Sequence, residues 1–136
     1  MAYAFELHCT LPATPREVYD AWLASETHSA MTGGEADMSD QLGAQVSAWD
    51  GYITGENLEL APGDRIVQSW RTSKFGEADP DSKIEVTLAP DPEGCKLTLR
   101  HSNVPDADTS YERGGWSENY FEPMRAYFAA RRDERA

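Results

Sequence analysis

The sequence predicts an α+β domain in which a curved antiparallel sheet of about six to seven strands wraps around a long C-terminal helix. Three patterns predict it: an alternating N-terminal segment followed by two short stretches of helical spacing, a long middle region of period two divided by turn signals, and a final segment of helical spacing. The 136 residues are typical of one domain, 1–136, and are enough to bury a core without a disulfide or a metal ion.

Composition excludes several classes of function. The chain has 24 acidic and 12 basic side chains, a net charge of −12, whereas nucleic acids and anionic membranes are bound mainly through Lys and Arg. The 40% hydrophobic content is too high for a disordered acidic tail. There is no apolar run near the roughly 18 residues of a membrane span, and no basic region precedes an apolar stretch at the N-terminus. We therefore expect a soluble, cytoplasmic protein that binds neither nucleic acid nor membrane.

The two cysteines, Cys9 and Cys95, indicate neither a disulfide framework nor a zinc site, because no Cys/His pair has ligand spacing. If the first and last strands pair, as the fold class requires, the two thiols should lie close together. A cytoplasmic compartment would keep them reduced. We expect no cofactor.

The first strand and the first helix have clear signals. Apolar and polar residues alternate strictly over residues 3–11, which predicts a half-buried strand. Thr14, Pro15 and Glu17 then form a capping box with Pro at the first helical position. A helix is therefore predicted to begin here.

The helical segment that follows should pack against the sheet. Trp22 recurs at helical spacing with Val18, so its indole is expected to point inward. A second short helix is predicted from Ser25 to Met31, and the pair Gly33-Gly34 ends it.

Three turn signals divide the middle region into hairpins. Gly accepts positive φ without a steric penalty, and the ring of Pro fixes its own φ at the value that the first central position of a type II turn requires. The connection from Thr72 to Asp81 is polar, and we expect it to be mobile. The turn signals are Asp50-Gly51, Pro62-Gly63 and Asp91-Pro92-Glu93-Gly94, and the strands that they join are predicted at residues 45–49, 52–60, 65–71, 83–89 and 95–102.

The C-terminal helix is predicted from about Asp108 to Arg132, where aromatic and apolar residues recur three, four or seven apart. Pro123 should bend it, since its ring removes a donor and crowds the carbonyl of Asn119. Gly114-Gly115 should weaken its start.

Over nearly the whole chain, and most clearly from residue 49 onward, the sequence resembles a known family, the C-terminal domain of the activator of heat shock protein 90 ATPase, a branch of the START-like helix-grip superfamily. The resemblance implies the same helix-grip fold. In the eukaryotic activators a separate N-terminal domain anchors the chaperone, and 136 residues leave no room for it, so we expect the fold to transfer more readily than co-chaperone activity. The segments that carry the resemblance are WDGYITGENLEL (49–60), APGDRIVQSWR (61–71), SKIEVTL (82–88), GCKLTLRHSNVP (94–105) and GGWSENYFEPMRAYF (114–128).

A sheet closed over one helix leaves a central cavity unless large side chains fill it. Trp70 should face the rings of the C-terminal helix across this space. Two interpretations are open: the rings plug the core, or they line an apolar pocket in which Gln68 and His101 make the polar contacts. His101 is predicted to be a neutral core histidine. The candidate ligand-binding residues are Trp22, Gln68, Trp70, Val86, Leu99, His101, Trp116, Tyr120 and Met124.

Three functions follow. The first is a non-catalytic domain that binds a small hydrophobic or aromatic ligand, as a monomer or weak homodimer. The second is a chaperone-interacting stress-response module with an acidic docking face. The third, a small enzyme like the polyketide cyclases of this fold, rests on analogy alone. There is no nucleophile elbow, and Glu56 and Glu59 differ in strand parity, which predicts opposite faces rather than a carboxylate pair.

Overall fold

In the computed structural model, residues 2–72, 81–105 and 116–135 are described. Six strands of these residues form one antiparallel sheet in the order β1-β6-β5-β4-β3-β2. The predicted connection at 73–80 and the predicted helix start at 108–115 lie outside the described residues. The strands are β1 (Ala2–Leu11), β2 (Gln45–Ala48), β3 (Ile53–Ala61), β4 (Arg65–Thr72), β5 (Ser82–Asp91) and β6 (Gly94–Pro105).

Two short helices follow β1, as predicted: α1 (Pro15–Leu23) and α2 (Ser25–Thr32). The capping box at Thr14 is confirmed, because the Thr14 hydroxyl accepts from the backbone N–H of Glu17 and the Glu17 carboxylate accepts from the N–H of Thr14. Gly33 ends α2 in the left-handed conformation that favours glycine.

The turn between β2 and β3 is longer than predicted. Ala48 pairs with Ile53, so Trp49 and Tyr52 belong to the turn rather than to the strands. Trp49 and Asp50 both have positive φ, 53° and 59°. The Trp49 indole lies over Gly34, where an added Cβ would approach its ring to 2.6 Å. Packing of this indole against the end of α2 accompanies the wider turn.

A β-bulge in β3 overturns the prediction for the two glutamates. Asn57 pairs with Gln68 and Glu59 with Val67, which leaves Leu58 as the extra residue. The extra residue shifts the inward and outward alternation of side chains by one position after the bulge. Glu56 and Glu59 therefore both lie on the outer face of the sheet. Glu59 does not form a carboxylate pair there, since it is ion-paired with Arg65.

The acidic segment after α2 covers the free edge of β2. Asp37 makes an isolated bridge to Ser47, with two backbone hydrogen bonds of 2.9 Å. On its other side, the backbone N–H groups of Ala36 and Met38 donate to the hydroxyls of Ser29 and Ser25, one helical turn apart on α2. Serine side chains thus complete the hydrogen bonding of an edge segment that has no second strand beside it.

The C-terminal helix consists of a π-helical turn (Ser117–Phe121) followed by α3 (Glu122–Arg135). The backbone N–H of Glu122 donates to Ser117 five residues back. This wider turn directly precedes Pro123, which cannot donate a helical hydrogen bond. The irregularity predicted at Pro123 therefore takes the form of a π turn, and the helix continues through it.

Candidate functional site

Four aromatic rings from the helices and the sheet meet inside the fold, and we call them the aromatic cluster: Trp22, Trp70, Trp116 and Tyr120. The ring centroids of Trp22 and Tyr120 are 5.1 Å apart, those of Trp116 and Tyr120 5.1 Å, and those of Trp70 and Trp116 5.3 Å. These are contact distances for aromatic pairs. The prediction that Trp70 faces the rings of the C-terminal helix is confirmed.

All nine predicted site residues lie on the interior side of the sheet or on the helices that cover it, and none is more than 2% exposed. Val86 and Leu99 are direct cross-strand partners. Their positions are Trp22 on α1, Gln68 and Trp70 on β4, Val86 on β5, Leu99 and His101 on β6, and Trp116, Tyr120 and Met124 on the C-terminal helix.

His101 is a neutral core histidine, as predicted. The Trp116 indole N–H can only donate, so it fixes His101 Nδ1 as the acceptor at 3.2 Å. The proton therefore resides on Nε2, which lies 2.7 Å from the Ser82 hydroxyl oxygen, and that hydroxyl donates onward to the carbonyl of Trp70. With Nδ1 accepting and Nε2 donating, both ring nitrogens are engaged in this fully buried chain.

His28 forms a second buried network. Its Nδ1–H donates to the carbonyl of Trp22 at 2.8 Å, and its Nε2 accepts from the Tyr120 hydroxyl at 3.0 Å. Burial lowers the pKa of His28 from 6.5 to about 4, opposed only in part by the bond to Trp22. Burial also raises the pKa of Tyr120 far above its usual value. Both groups are neutral at physiological pH.

A third network leads from the aromatic cluster to the edge of the sheet. The Trp22 indole N–H donates to Gln68 Oε1 at 3.0 Å, and Gln68 Nε2 donates to Asn57 Oδ1 at 2.9 Å. Asn57 Nδ2 donates in turn to the carbonyls of Ser39 and Gln41, at 2.8 and 2.9 Å. The interior side chains are thereby connected to the segment that precedes β2.

One buried indole donor stands outside these networks. Trp70 Nε1 has no hydrogen-bond partner among the described residues. Trp70 is only 1% exposed, so its N–H is shielded from water. A buried unsatisfied donor costs about 1–3 kcal/mol.

The predicted proximity of the cysteines is confirmed, because Cys9 pairs with Leu97, two residues from Cys95 on the neighbouring strand. Both are free thiols. Diagonal positions of this kind are typically about 7–8 Å apart, beyond disulfide reach. Burial raises the pKa of Cys9 to about 12 and that of Cys95 to about 11, so neither is an activated nucleophile.

Two depressions of about 280 and 680 Å³ lie side by side where β1 ends, the β5–β6 turn approaches and α3 passes. Pro12, Pro92 and Glu93 line both. Neither is lined by any of the nine predicted residues.

Within the described ranges there is no group of three or more metal-ligating side chains, and no helix is both long and apolar enough to cross a membrane.

Sequence reasoning missed three of the residues that organise this interior. His28 has no acidic partner at a telling spacing in the sequence, Asn57 lies in a polar strand, and Ser29 is paired with Ser25 in a short helix. The one available signal is the i, i+4 spacing of the two serines on α2, which puts both hydroxyls on one helix face. Tyr120, the side-chain partner of His28, is 92 residues away, and the partners of Asn57 are 11 to 18 residues away, so only the fold brings them together.

The curved antiparallel sheet packed around a C-terminal helix defines the class of protein as helix-grip, or START-like. A solved structure of an HSP90 activator from Plasmodium falciparum has this fold, with a TM-score of 0.82 and 24% identity over 93% of this chain and 96% of that one. A protein from Chromobacterium violaceum superposes with a TM-score of 0.73 at 24% identity, over 93% of this chain and 97% of that one.

The family is shown by the sequence itself. Residues 12–129 match the model of the family described as Activator of Hsp90 ATPase homolog 1-like protein, and the chain belongs to this family. It is 26% identical over 119 residues to the human activator of 90 kDa heat shock protein ATPase homolog 1 and 25% identical to a homologue from Dictyostelium discoideum. These matches cover 88% and 85% of this chain but only 35% and 30% of the relatives. The chain thus spans about a third of their length.

Proposed function

We propose that this chain is a non-catalytic module that binds an Hsp90-type chaperone through its outer surface. The observation that carries the proposal is the engagement of the interior: the polar atoms of His101, His28 and Gln68 bond to protein groups, and the aromatic rings contact one another. Because these interior groups already serve the core, the surface is the part of the domain that is free to recognise a partner.

Family membership supports the chaperone as that partner. The curated relatives are named as activators of the 90 kDa heat shock protein ATPase, and a solved relative of similar size is described as an HSP90 activator. The buried thiols and neutral histidines supply no activated nucleophile or general base, which favours binding over catalysis.

The test is direct binding to the purified Hsp90-type chaperone of the host, measured by isothermal titration calorimetry, with chaperone ATPase as a second readout. We expect micromolar binding that weakens between about 50 and 500 mM salt, since a chain of net charge −12 recognises a basic surface. An unrelated protein of equal negative charge controls for nonspecific attraction. If no binding occurs at 50 mM salt with about 100 µM protein, well above a micromolar Kd, the proposal fails.

A second function, binding of a small apolar or aromatic ligand, is favoured by the Trp70 indole N–H. This donor belongs to a buried ring of the aromatic cluster and has no partner among the described residues. A flat ligand carrying one hydrogen-bond acceptor would satisfy it and contact the rings. Native mass spectrometry of protein purified from its own host tests for such a ligand. The variant Trp70→Phe keeps an aromatic ring but removes the N–H donor. Ligand binding at Trp70 is supported if a molecule co-purifies with the wild-type chain and is retained less by the variant. Retention that is equal in both proteins, or no co-purifying molecule, contradicts it.

A further inference from the structure

Large hydrophobic side chains are exposed at three places among the described residues: Leu42, 69% exposed, Leu58, 44%, and Tyr52, 39%. Leu42 and Leu58 are neighbours. The backbone N–H of Gly43 donates to the carbonyl of Asn57. Leu42 directly precedes Gly43 in the chain and Leu58 directly follows Asn57, so this hydrogen bond brings the two leucines together. We call these two side chains the leucine patch.

The local backbone geometry brings both leucines to the surface. Leu58 follows the buried Asn57 and so lies on the outer face, and as the extra residue of the bulge in β3 it has no partner opposite it on β4. On the neighbouring segment, Gly43 has a φ of 80°, and Gly43 and Ala44 both hydrogen-bond to the backbone of Asn57. The bulge in β3 and the turn at Gly43 therefore meet at Asn57, next to the two exposed leucines.

The segment that carries Leu42 is held in place from the interior. Asn57 binds the carbonyls of Ser39 and Gln41 through its side chain, while its own side-chain oxygen accepts from Gln68. Asn57 is 1% exposed, so these bonds are shielded from water. A surface fixed in this way loses little conformational entropy when a partner binds it.

Acidic side chains flank the leucine patch. Asp40 is exposed two residues before Leu42, and Glu56 and Glu59 flank Leu58 on the outer face. The basic residue nearest in the sheet, Arg65, is ion-paired with Glu59 at 3.0 Å and with Glu85 at 3.2 Å, so its charge is already balanced. The surface combines an apolar centre with a negative rim.

We infer that the leucine patch is the docking face of the domain and that its occupant is a surface of the Hsp90-type chaperone with an apolar contact surrounded by Lys or Arg. This inference rests on the proposed function and assigns it a location. Charge complementarity favours such an occupant over a second copy, because two chains of net charge −12 repel each other across acidic rims.

The test compares Leu42→Ser, Leu58→Thr and the double variant with Tyr52→Thr as the matched control. Tyr52 lies in the turn between β2 and β3, six residues before Leu58 and about 20 Å away along an extended chain, so its substitution removes exposed apolar surface outside the patch. All three substituted positions are exposed, so the thermal unfolding midpoint should be unchanged and should verify that each variant folds. Binding to the purified chaperone is measured at 50 and 500 mM salt.

We expect each leucine substitution to weaken binding by about five- to tenfold, the double variant by at least about 30-fold, and the tyrosine control by less than twofold. If the wild-type chain binds and the double variant binds equally well, this face is wrong while the proposed function stands. If the wild-type chain does not bind, both fail. A dimer seen by light scattering in the wild type and lost in the double variant would identify a second copy as the occupant and overturn the inference.

Discussion

Replacing Trp116 by alanine tests whether the aromatic cluster is a packed core or the wall of an open pocket. The side chain is 2% exposed, and its ring contacts Trp70, Tyr120 and His101 at centroid distances of 5.3, 5.1 and 5.7 Å. Removing a packed indole costs about 3–5 kcal/mol. The substitution also leaves the buried Nδ1 of His101 without its donor, which adds about 1 kcal/mol or more.

The expected loss is therefore at least about 4 kcal/mol of a total that is typically about 5–15. For a chain of 136 residues each kcal/mol lowers Tm by about 3.5 °C, so the midpoint should fall by about 14 °C. The free energy of unfolding is measured with urea and Tm by heating, both followed by far-ultraviolet circular dichroism because removing an indole alters the fluorescence signal itself.

The matched control for this experiment is Trp116→Phe, which keeps most of the ring and removes only the N–H donor to His101. It should cost about 1–2 kcal/mol, mainly through the unsatisfied acceptor. The reasoning is refuted if Trp116→Ala costs less than about 1 kcal/mol, because the indole would then face empty space and the pocket interpretation would replace the core interpretation.

Three further predictions concern buried polar groups. The pKa of His28 is about 4 in the folded protein and 6.5 in the unfolded chain, so the unfolded chain gains the proton first as pH falls and the free energy of unfolding should drop between pH 6.5 and 4. In urea titrations, His28 should account for a loss of about 2 kcal/mol between pH 7 and pH 5. The variant His28→Gln should lack this loss. Asn57→Ala should accelerate amide hydrogen exchange across residues 39–44, and an unchanged exchange rate would disprove its role in holding that segment. Cys9 and Cys95 should resist iodoacetamide at pH 8 in the native protein and react in 6 M urea, because burial keeps both thiols protonated; rapid native labelling would contradict this.

Local signals in the chain were sufficient for most elements. The capping box at Thr14, the left-handed Gly33 and the turn at Pro62-Gly63, where the N–H of Asp64 donates to Ala61, all appear where they were predicted. Each depends on interactions within about four residues, which the sequence displays directly. The alternation that placed His101 among interior residues is equally local.

Predictions failed where a distant contact altered the local pattern. Strict period two assigned Glu56 and Glu59 to opposite faces, but the bulge at Leu58 puts both outside. The hairpin signal Asp50-Gly51 predicted a tight turn, and Trp49 joined the turn instead, with its indole against Gly34. In both cases the position of the side chain, Glu59 on the outer face or Trp49 against Gly34, depends on residues that are not its neighbours in sequence.

Periodicity and turn chemistry in the sequence were enough to predict the helix-grip fold and the inward direction of the aromatic rings, because both follow from the 2.0- and 3.6-residue repeats. The tertiary structure alone determined which polar atoms meet: His28 with Tyr120, Gln68 with Asn57, and Trp116 with His101. These bonds join residues that are 92, 11 and 15 positions apart. Hydrogen bonds need partners within about 3 Å, and such proximity arises only when the whole sheet has closed around the helix.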